Sequence, residues 1–423
     1  MINLRSSRIA WATRVGAAGV LALGLTGSLG IGQAVAARTT AASCSGPTVT
    51  RQAFGKAFDL YAHKKLPVFR YTLANCRGMR VRVLSYGGII QSITVPGRGG
   101  READVVLGFK TLKDYIKEDS PPVTANGGPY FGETIGRYGN RIAKGTFQLN
   151  GHTYTLPINN GVNSLHGGLV GFGNHVWASH KVQAGNAAGV QLHLVSPNGD
   201  DGANVGCSCT GYPGRLAVTV TFTLNNRSQL RIHYRASTNK DTVLNLTNHS
   251  YFNLAGEASG ATYNQKVQIN ASHYTPTDAT QIPTGKIAKV RGTPFNFLRP
   301  HTIGSRINEN NKQLLIAQGY DHNWVLNHSG PTMGGLRLAA HAWDPRSGRE
   351  LTVWTSEPGV QFYSGNFLNG TLVGISNHIY RQSAGYTFET QHYPDSPNQS
   401  NFPSTELKPG QVFNSSTIFQ FSR

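Results

Sequence analysis

Short runs in which apolar and polar residues alternate recur along the whole chain. MRVRVLSYGGIIQSITV (79–95), VQLHLVS (190–196), RLAVTVTFTLN (215–225), QLRIHYRAS (229–237), LRLAAHAWD (336–344), ELTVWTS (350–356) and STIFQFS (416–422) all share the pattern. Val, Ile, Thr and aromatic residues fill the runs, and Gly, Pro, Asn and Asp clusters separate them. A period of two between turn signals predicts half-buried strands. Helical periodicity is scarce: TLKDYIKE (111–118) and SRINENNKQLLI (305–316) are the best short amphipathic candidates. Many strands and few short helices predict an all-β fold, a large β-sandwich or a barrel. No fixed-period repeat points to a propeller or solenoid. No long Pro/Ser/Gly linker divides the chain after residue 50, so one large β domain is expected.

Three strand-like stretches depart from the plain pattern. In LNLTNHSYFNLAG (244–256), an extended chain puts Leu244, Leu246, Phe252 and Leu254 on one face, with Asn248 and Ser250 between them. The other face carries Asn245, Thr247, His249, Tyr251 and Asn253. Such a row is a poor core surface, yet too uncharged for a plain exterior. In GYTFETQHYPDSPNQSNFP (385–403), Tyr386 and Phe388 point one way while Thr387, Glu389 and Gln391 point the other. A carboxylate there is costly to bury unless it is hydrogen-bonded or chemically useful. In GVQFYSGN (359–366), Gln361 and Tyr363 oppose Val360 and Phe362. Gly-rich loops add Asn140 and Arg141 in GRYGNRIAKG (136–145), His166 in NSLHGG (163–168), and Asp321 near Trp324 in GYDHNW (319–324). The two glycines after His166 are expected to let backbone approach a ligand closely.

Each of these residues alone has an ordinary structural reading; together they form an inventory of hydrogen-bonding groups beside aromatic rings. That inventory suits a sugar, which needs no metal, cofactor, phosphate cradle or activated serine. The chain contains no G-x-S-x-G, H-E-x-x-H, P-loop or dinucleotide fingerprint.

Composition adds location. The chain has 423 residues, 39% hydrophobic and 14% charged, ample for a core and too apolar for disorder. Residues 1–36 read as a secretory signal peptide: Arg5, Arg8 and Arg14, an apolar run at 15–32, then Ala34-Val35-Ala36. The rival, an uncleaved anchor, is disfavoured by the glycine content and the small-residue site. Residues 37–52 are expected to be an N-terminal extension and 53–423 the domain. Export implies a secreted protein in an oxidising compartment, where Cys44, Cys76, Cys207 and Cys209 allow three pairings. Cys44–Cys76 would tie the mature N-terminus to the first strand, and Cys207–Cys209 would close a very short loop. A C-x-C pair alone lacks the ligands of a zinc site. The net charge of +19 comes from scattered Lys and Arg with no basic run. That excludes a recognisable nucleic-acid motif and leaves a surface suited to contact with an anionic cell wall. No stable membrane association is expected after cleavage.

In order and relative spacing, NRIAKGTF, NSLHGG, LTNHSYFNLAG, YDHNW, PGVQFYSGNFL and ETQHYPDSPN resemble the motifs of the aldose 1-epimerase (galactose mutarotase) family. The resemblance runs from about residue 53 to the C-terminus. It implies a galactose-mutarotase-like β-sandwich with a sugar cleft on a concave face, and interconversion of α and β anomers of aldohexoses such as galactose and glucose. It implies His249 as general acid and Glu389 as general base, the glutamate ionised and the imidazole protonated at the start. It implies Asn140, Arg141, His166, Asp321 and Gln361 as sugar-binding, with Tyr251 beside the acid, and no metal or cofactor. The stretch NGDDGANVGCSCTGYPG (198–214) and the leader are less usual for the family. Two other classes remain open: a non-catalytic secreted carbohydrate-binding protein, and a glycoside hydrolase using Glu389 with Asp321 or Asp395. A phosphosugar epimerase would need extra Arg or Lys at the cleft mouth.

Overall fold

A computed structural model describes residues 44–119 and 128–423; the expected leader lies outside them. Its first strand, Thr48–Asp59, begins inside the stretch expected to be an extension. Most of the strand residues lie in three antiparallel sheets. The largest has ten strands, with Leu216–Asn225, Gln229–Thr238, Phe413–Ser422 and Glu350–Thr355 adjacent near its centre. The alternating runs supply it directly. Leu216, Val218, Val220, Phe222 and Leu224 are buried, and the residues between them are half-buried. A one-residue slip would turn that whole apolar row outward, so burial fixes the register.

Two smaller sheets share a continuous core with that inner face. A five-stranded sheet from residues 48–104 contributes Tyr71, Leu73, Val81, Val83 and Ile93. A six-stranded sheet has the order Tyr251–Phe252, Tyr386–Gln391, Gly359–Tyr363, Asp321–Val325, His273–Thr275 and Ala288–Lys289. It contributes Trp324, Val360, Phe362, Tyr386 and Phe388. Phe252 meets Phe419 of the ten-stranded sheet edge-to-face at 5.1 Å, and the Thr390 and Thr417 hydroxyls hydrogen-bond between the sheets at 2.5 Å. The expected sandwich is the observed one. In the Gly359–Tyr363 and Tyr386–Gln391 strands every residue is buried, so the polar face opposite the aromatic core is covered as well.

Three expectations are corrected. LNLTNHSYFNLAG is not one strand: Thr247–Asn248 and Tyr251–Phe252 within it are separate short strands that pair with different partners, Thr134–Ile135 and Tyr386–Thr387. Its leucines and Phe252 do enter the core. The first helix is a single turn, Leu112–Asp114, with a Thr111/Asp114 capping box, and runs on as a π-turn to Asp119. The second spans only Lys312–Ala317, because the Asn311 side chain accepts the Gln313 N–H and starts the helix there.

Candidate active site

The polar face of the six-stranded sheet forms the base of the site. Glu389 lies mid-strand with Gln361 directly across on the neighbouring strand, and Tyr363 across from Thr387. Asp321 pairs in register with Tyr363, and Tyr251 with Thr387 from the other side. Strand alternation therefore brings Tyr251, Asp321, Gln361 and Glu389 onto one surface. The Thr387 hydroxyl donates to Glu389 Oε1 at 2.9 Å, while Oε2 has no partner among the described residues.

His249 occupies the break between two of the short strands. Its N–H donates to the Glu133 carbonyl and its carbonyl accepts from the Gly132 N–H, both at 3.0 Å. The Asn248 amide donates to the Gly132 and Glu133 carbonyls. Asn245 binds Gly139 and His392 backbone, and Asn253 binds Gly260 and Ala384 carbonyls. Most of the polar row is thus scaffold. Only His249 and Tyr251 of that row line the cleft, and His249 Nε2 lies 3.5 Å from Glu389 Oε1.

A second cluster grips Asp321. Gln361 donates to its Oδ1 at 2.7 Å, Gln281 to its Oδ2 at 3.1 Å, and Arg141 stands 3.8 Å away. Gln281 also accepts from Arg141 at 2.5 Å, so one amide bridges the two charges. The Asn140 N–H donates to His166 Nδ1 at 3.2 Å, and the His166 N–H donates to the Asn140 carbonyl. Tyr130, Asn140, His166 and Gln281 all have left-handed φ, between 53° and 65°. Such residues cost of order 1–2 kcal/mol each, and their gathering around one cleft marks it as functional.

The glycines after His166 serve packing rather than a ligand. A Cβ at Gly167 would lie 2.1 Å from the Gly136 carbonyl oxygen, and one at Gly168 would overlap the Asp201 carboxylate.

Burial dominates the electrostatics. It draws the His249 pKa down to about 3, and pushes Glu389 up to about 8 with help from Asp321. These shifts favour a protonated carboxyl and a neutral imidazole, the reverse of the expected starting state. This pair and the ionised pair hold the same single proton, so they differ only in where it sits.

His166, His249 and Glu389 place potential metal ligands within 4.8 Å of one another. The Asn140 N–H pointing at His166 Nδ1 assigns that ring's proton to Nε2, however, so the atom facing the cleft is a donor, not a lone pair. The trio does not fit a cation. Nor, among the described residues, is either carboxylate expected to serve a hydrolase beside Glu389 left without partners. Both Asp321 oxygens are engaged, and Asp395 is held by the Ala143 N–H, Asn398 and Gln399 away from the cleft lining.

All eight residues singled out from sequence share one neighbourhood: seven line a cleft of about 760 Å³, and Gln361 supports Asp321 from beneath. Sequence reasoning missed Gln281 and Asn160, which orient Arg141, and Tyr130, whose ring packs 4.7 Å from His166. Tyr363 was visible as the neighbour two positions from Gln361 on the same strand face.

A β-sandwich with a buried histidine–glutamate pair set among sugar-type hydrogen-bonding groups defines a carbohydrate-active protein built for acid–base chemistry. Comparison with known proteins narrows this further. The family model described as aldose 1-epimerase matches residues 70–420. A galactose mutarotase of Sus scrofa is 43% identical over 81% of this chain and 91% of its own length. An aldose 1-epimerase of Escherichia coli K12 is 36% identical over 83% and 94%. Among solved structures, a galactose 1-epimerase from Lactobacillus acidophilus NCFM superposes with a TM-score of 0.73 at 29% identity, covering 89% of this chain and 98% of its own. The chain belongs to the aldose 1-epimerase family, and its activity is the interconversion of sugar anomers.

Proposed function

We propose that the chain interconverts the α and β anomers of aldohexoses, galactose and glucose among them, with Glu389 as general base and His249 as general acid. The observation that carries this is the 3.5 Å approach of His249 Nε2 to Glu389 Oε1 inside a buried cleft. The carboxylate takes the proton of the anomeric hydroxyl as the imidazolium protonates the ring oxygen. The C1–O5 bond breaks, leaving an aldehyde, a protonated carboxyl and a neutral imidazole. Rotation about C1–C2 presents the other carbonyl face, and the transfers run backward to close the ring. Each such group contributes about 10²–10⁴-fold.

The proton placement favoured by burial is the one that accompanies the open aldehyde. Desolvation therefore favours ring opening and offsets part of its cost. Arg141, which draws Glu389 down, and the entering hydroxyls favour the ionised pair when the cyclic sugar binds. His166 Nε2–H and Arg141 are placed to donate to sugar oxygens, and Asp321 to accept from hydroxyls.

The reading extends to location. Residues 1–36 direct export, Cys44 pairs with Cys76 and Cys207 with Cys209, and the net positive charge favours contact with an anionic cell wall. Cα separations of 5.5 and 5.0 Å support both pairings. N-terminal sequencing of protein from the culture medium is expected to begin at Ala37; an intact N-terminus overturns the export reading.

The test of function is polarimetry on freshly dissolved α-D-glucose and α-D-galactose. Wild type should accelerate both, and Glu389→Gln should lose about 10³-fold or more in kcat while still binding sugar. Unchanged turnover in the variant, or release of phenol from an aryl glycoside by wild type, would overturn the assignment.

A further inference from the structure

An antiparallel sheet that packs on one face ordinarily turns a polar, solvated face outward. The outer face of the ten-stranded sheet departs from that rule. Trp177 and Trp324 are buried in the core, but Trp343 and Trp354 stand half-buried on this outer face, alternating with buried Ala342 and Val353. Both rings are held in place. The Trp354 indole N–H donates to Gln420 Oε1 at 3.3 Å. Trp343 stacks on His341 at 5.0 Å, with the Lys266 ammonium 5.8 Å from its ring. Between the two indoles runs a cross-strand row of hydrogen-bonding side chains, Gln268, His341, Thr352 and Gln420, since residues directly opposite share a face.

Charge on this sheet is one-sided. Its strands carry Lys181, Arg231, Arg235, Lys266 and Arg337 and, among the described residues, a single carboxylate, Glu350. Lys266, Arg231 and Arg235 hold outward positions, each next to a buried apolar residue. Arg231 lies across from Ile418, which lies across from Trp354. Glu350 is already engaged: its Oε2 accepts from the Ser422 hydroxyl at 3.3 Å and stands 3.3 Å from His341 Nε2. The face is also separate from the cleft. Phe362 and Phe388 of the six-stranded sheet enter the core shared with the ten-stranded sheet, while Glu389 lines the cleft on the opposite side.

We propose that the outer face of the ten-stranded sheet binds an acidic polysaccharide, a chain whose sugar rings carry carboxylates. The indoles supply apolar surface for sugar C–H faces, and the amides and hydroxyls between them meet ring hydroxyls. Lys266 beside Trp343 and Arg231 beside the Trp354 row pair with the carboxylates. Charge selects this occupant: a neutral chain leaves the cations unmatched, and a phosphate polymer has no use for the indoles. The assignment does not depend on the chemistry of the cleft, which stays open to a small sugar while the opposite side of the sandwich holds the polymer.

Binding to immobilised polygalacturonate, neutral galactan and polyphosphate tests this. Wild type is compared with Trp343→Ala/Trp354→Ala, with Lys266→Gln/Arg231→Gln, and with Lys64→Gln/Lys65→Gln, a control at exposed positions of the five-stranded sheet. Wild type and the control should both bind polygalacturonate, and more tightly than galactan. Each outer-face variant should lose about tenfold or more in affinity, with mutarotation of glucose within about twofold of wild type. No binding by wild type, or equal binding by wild type and the indole variant, overturns the proposal. So does polyphosphate binding that matches polygalacturonate and survives loss of both indoles, since that is a cation field only. Self-association in sedimentation that the indole variant abolishes, without polysaccharide binding, makes the face a contact between copies and rejects the assignment. Quenching of wild-type fluorescence needs no variant to fold. Polygalacturonate should shield Trp343 and Trp354 from acrylamide, because Trp177 and Trp324 are already buried; unchanged quenching overturns the proposal.

Discussion

Glu389 carries a cost that the scaffold bears for the sake of its chemistry. Its pKa rises from an ordinary 4.5 to about 8 on folding. The folded chain therefore keeps a proton that the unfolded chain releases, and stability is lost as pH climbs from about 4.5 toward 8. His249 acts in the opposite direction, falling from 6.5 to about 3, so its contribution is lost as pH drops through that range. Summed, the pair leaves stability flat between about 4.5 and 6.5 and lower on either side. Glu389→Gln removes the alkaline arm. The variant should melt higher than wild type at pH 8.5, by on the order of 1–3 kcal/mol, and differ little near pH 5. Thermal melts at the two pH values check this, and parallel wild-type and variant curves would contradict it. The same shift places the alkaline limb of wild-type kcat/KM near pH 8, where the pair loses its only proton.

At the scale of elements, the loop 163–170 shows how the fold holds a catalytic neighbour in place. Gly168 has φ +102°, and a Cβ there would sit 1.3 Å from an Asp201 carboxylate oxygen. That carboxylate accepts the N–H groups of Leu169 and Val170. Gly168→Ala should destabilise by about 3 kcal/mol or more and impair activity through His166, two residues upstream. Gly151→Ala, also at positive φ but with nothing within 4 Å, should cost only about 1 kcal/mol in the same denaturation assay. Equal costs would show that strain, not the Asp201 contact, governs the loop. These glycines also show where sequence stops being legible. The alternation of Tyr386–Gln391 and Gly359–Tyr363 exposed Glu389 and Gln361, because a strand face depends only on local period. The partners of Gly167 and Gly168 come from residues 136 and 201, which no local pattern reveals. The stretch 244–256 reads the same whether continuous or broken, since its breaks are set by pairing with residues 134–135 and 386–387. Gln281 lies in a loop without period, so its bridge between Arg141 and Asp321 left no signal.

At the scale of the whole molecule, the weakest link is the start of the described chain. The edge strand Thr48–Asp59 buries only Ala57 and Asp59, so little apolar surface holds its first residues in place. Cys44 and Cys76 lie 32 residues apart in sequence and 5.5 Å apart at Cα, one before this strand and one in the turn after the strand Lys64–Ala74. Closing a loop of that length restricts the unfolded chain by about 3–4 kcal/mol in the chain-entropy account. Cys207 and Cys209 are separated by 2, and the same account gives about 1–2 kcal/mol. The loop that carries them is fastened independently by buried Arg137, which donates to the Pro197, Pro213 and Gly214 carbonyls. Replacing Cys44 and Cys76 by Ser should therefore lower the melting temperature clearly more than replacing Cys207 and Cys209, with mutarotation at 25 °C retained in both because neither pair lines the cleft. Thiol titration of the unreduced wild type should find no free cysteine. A larger loss from the Cys207/Cys209 replacement would mean that the 198–214 stretch, rather than the edge strand, limits the stability of the fold.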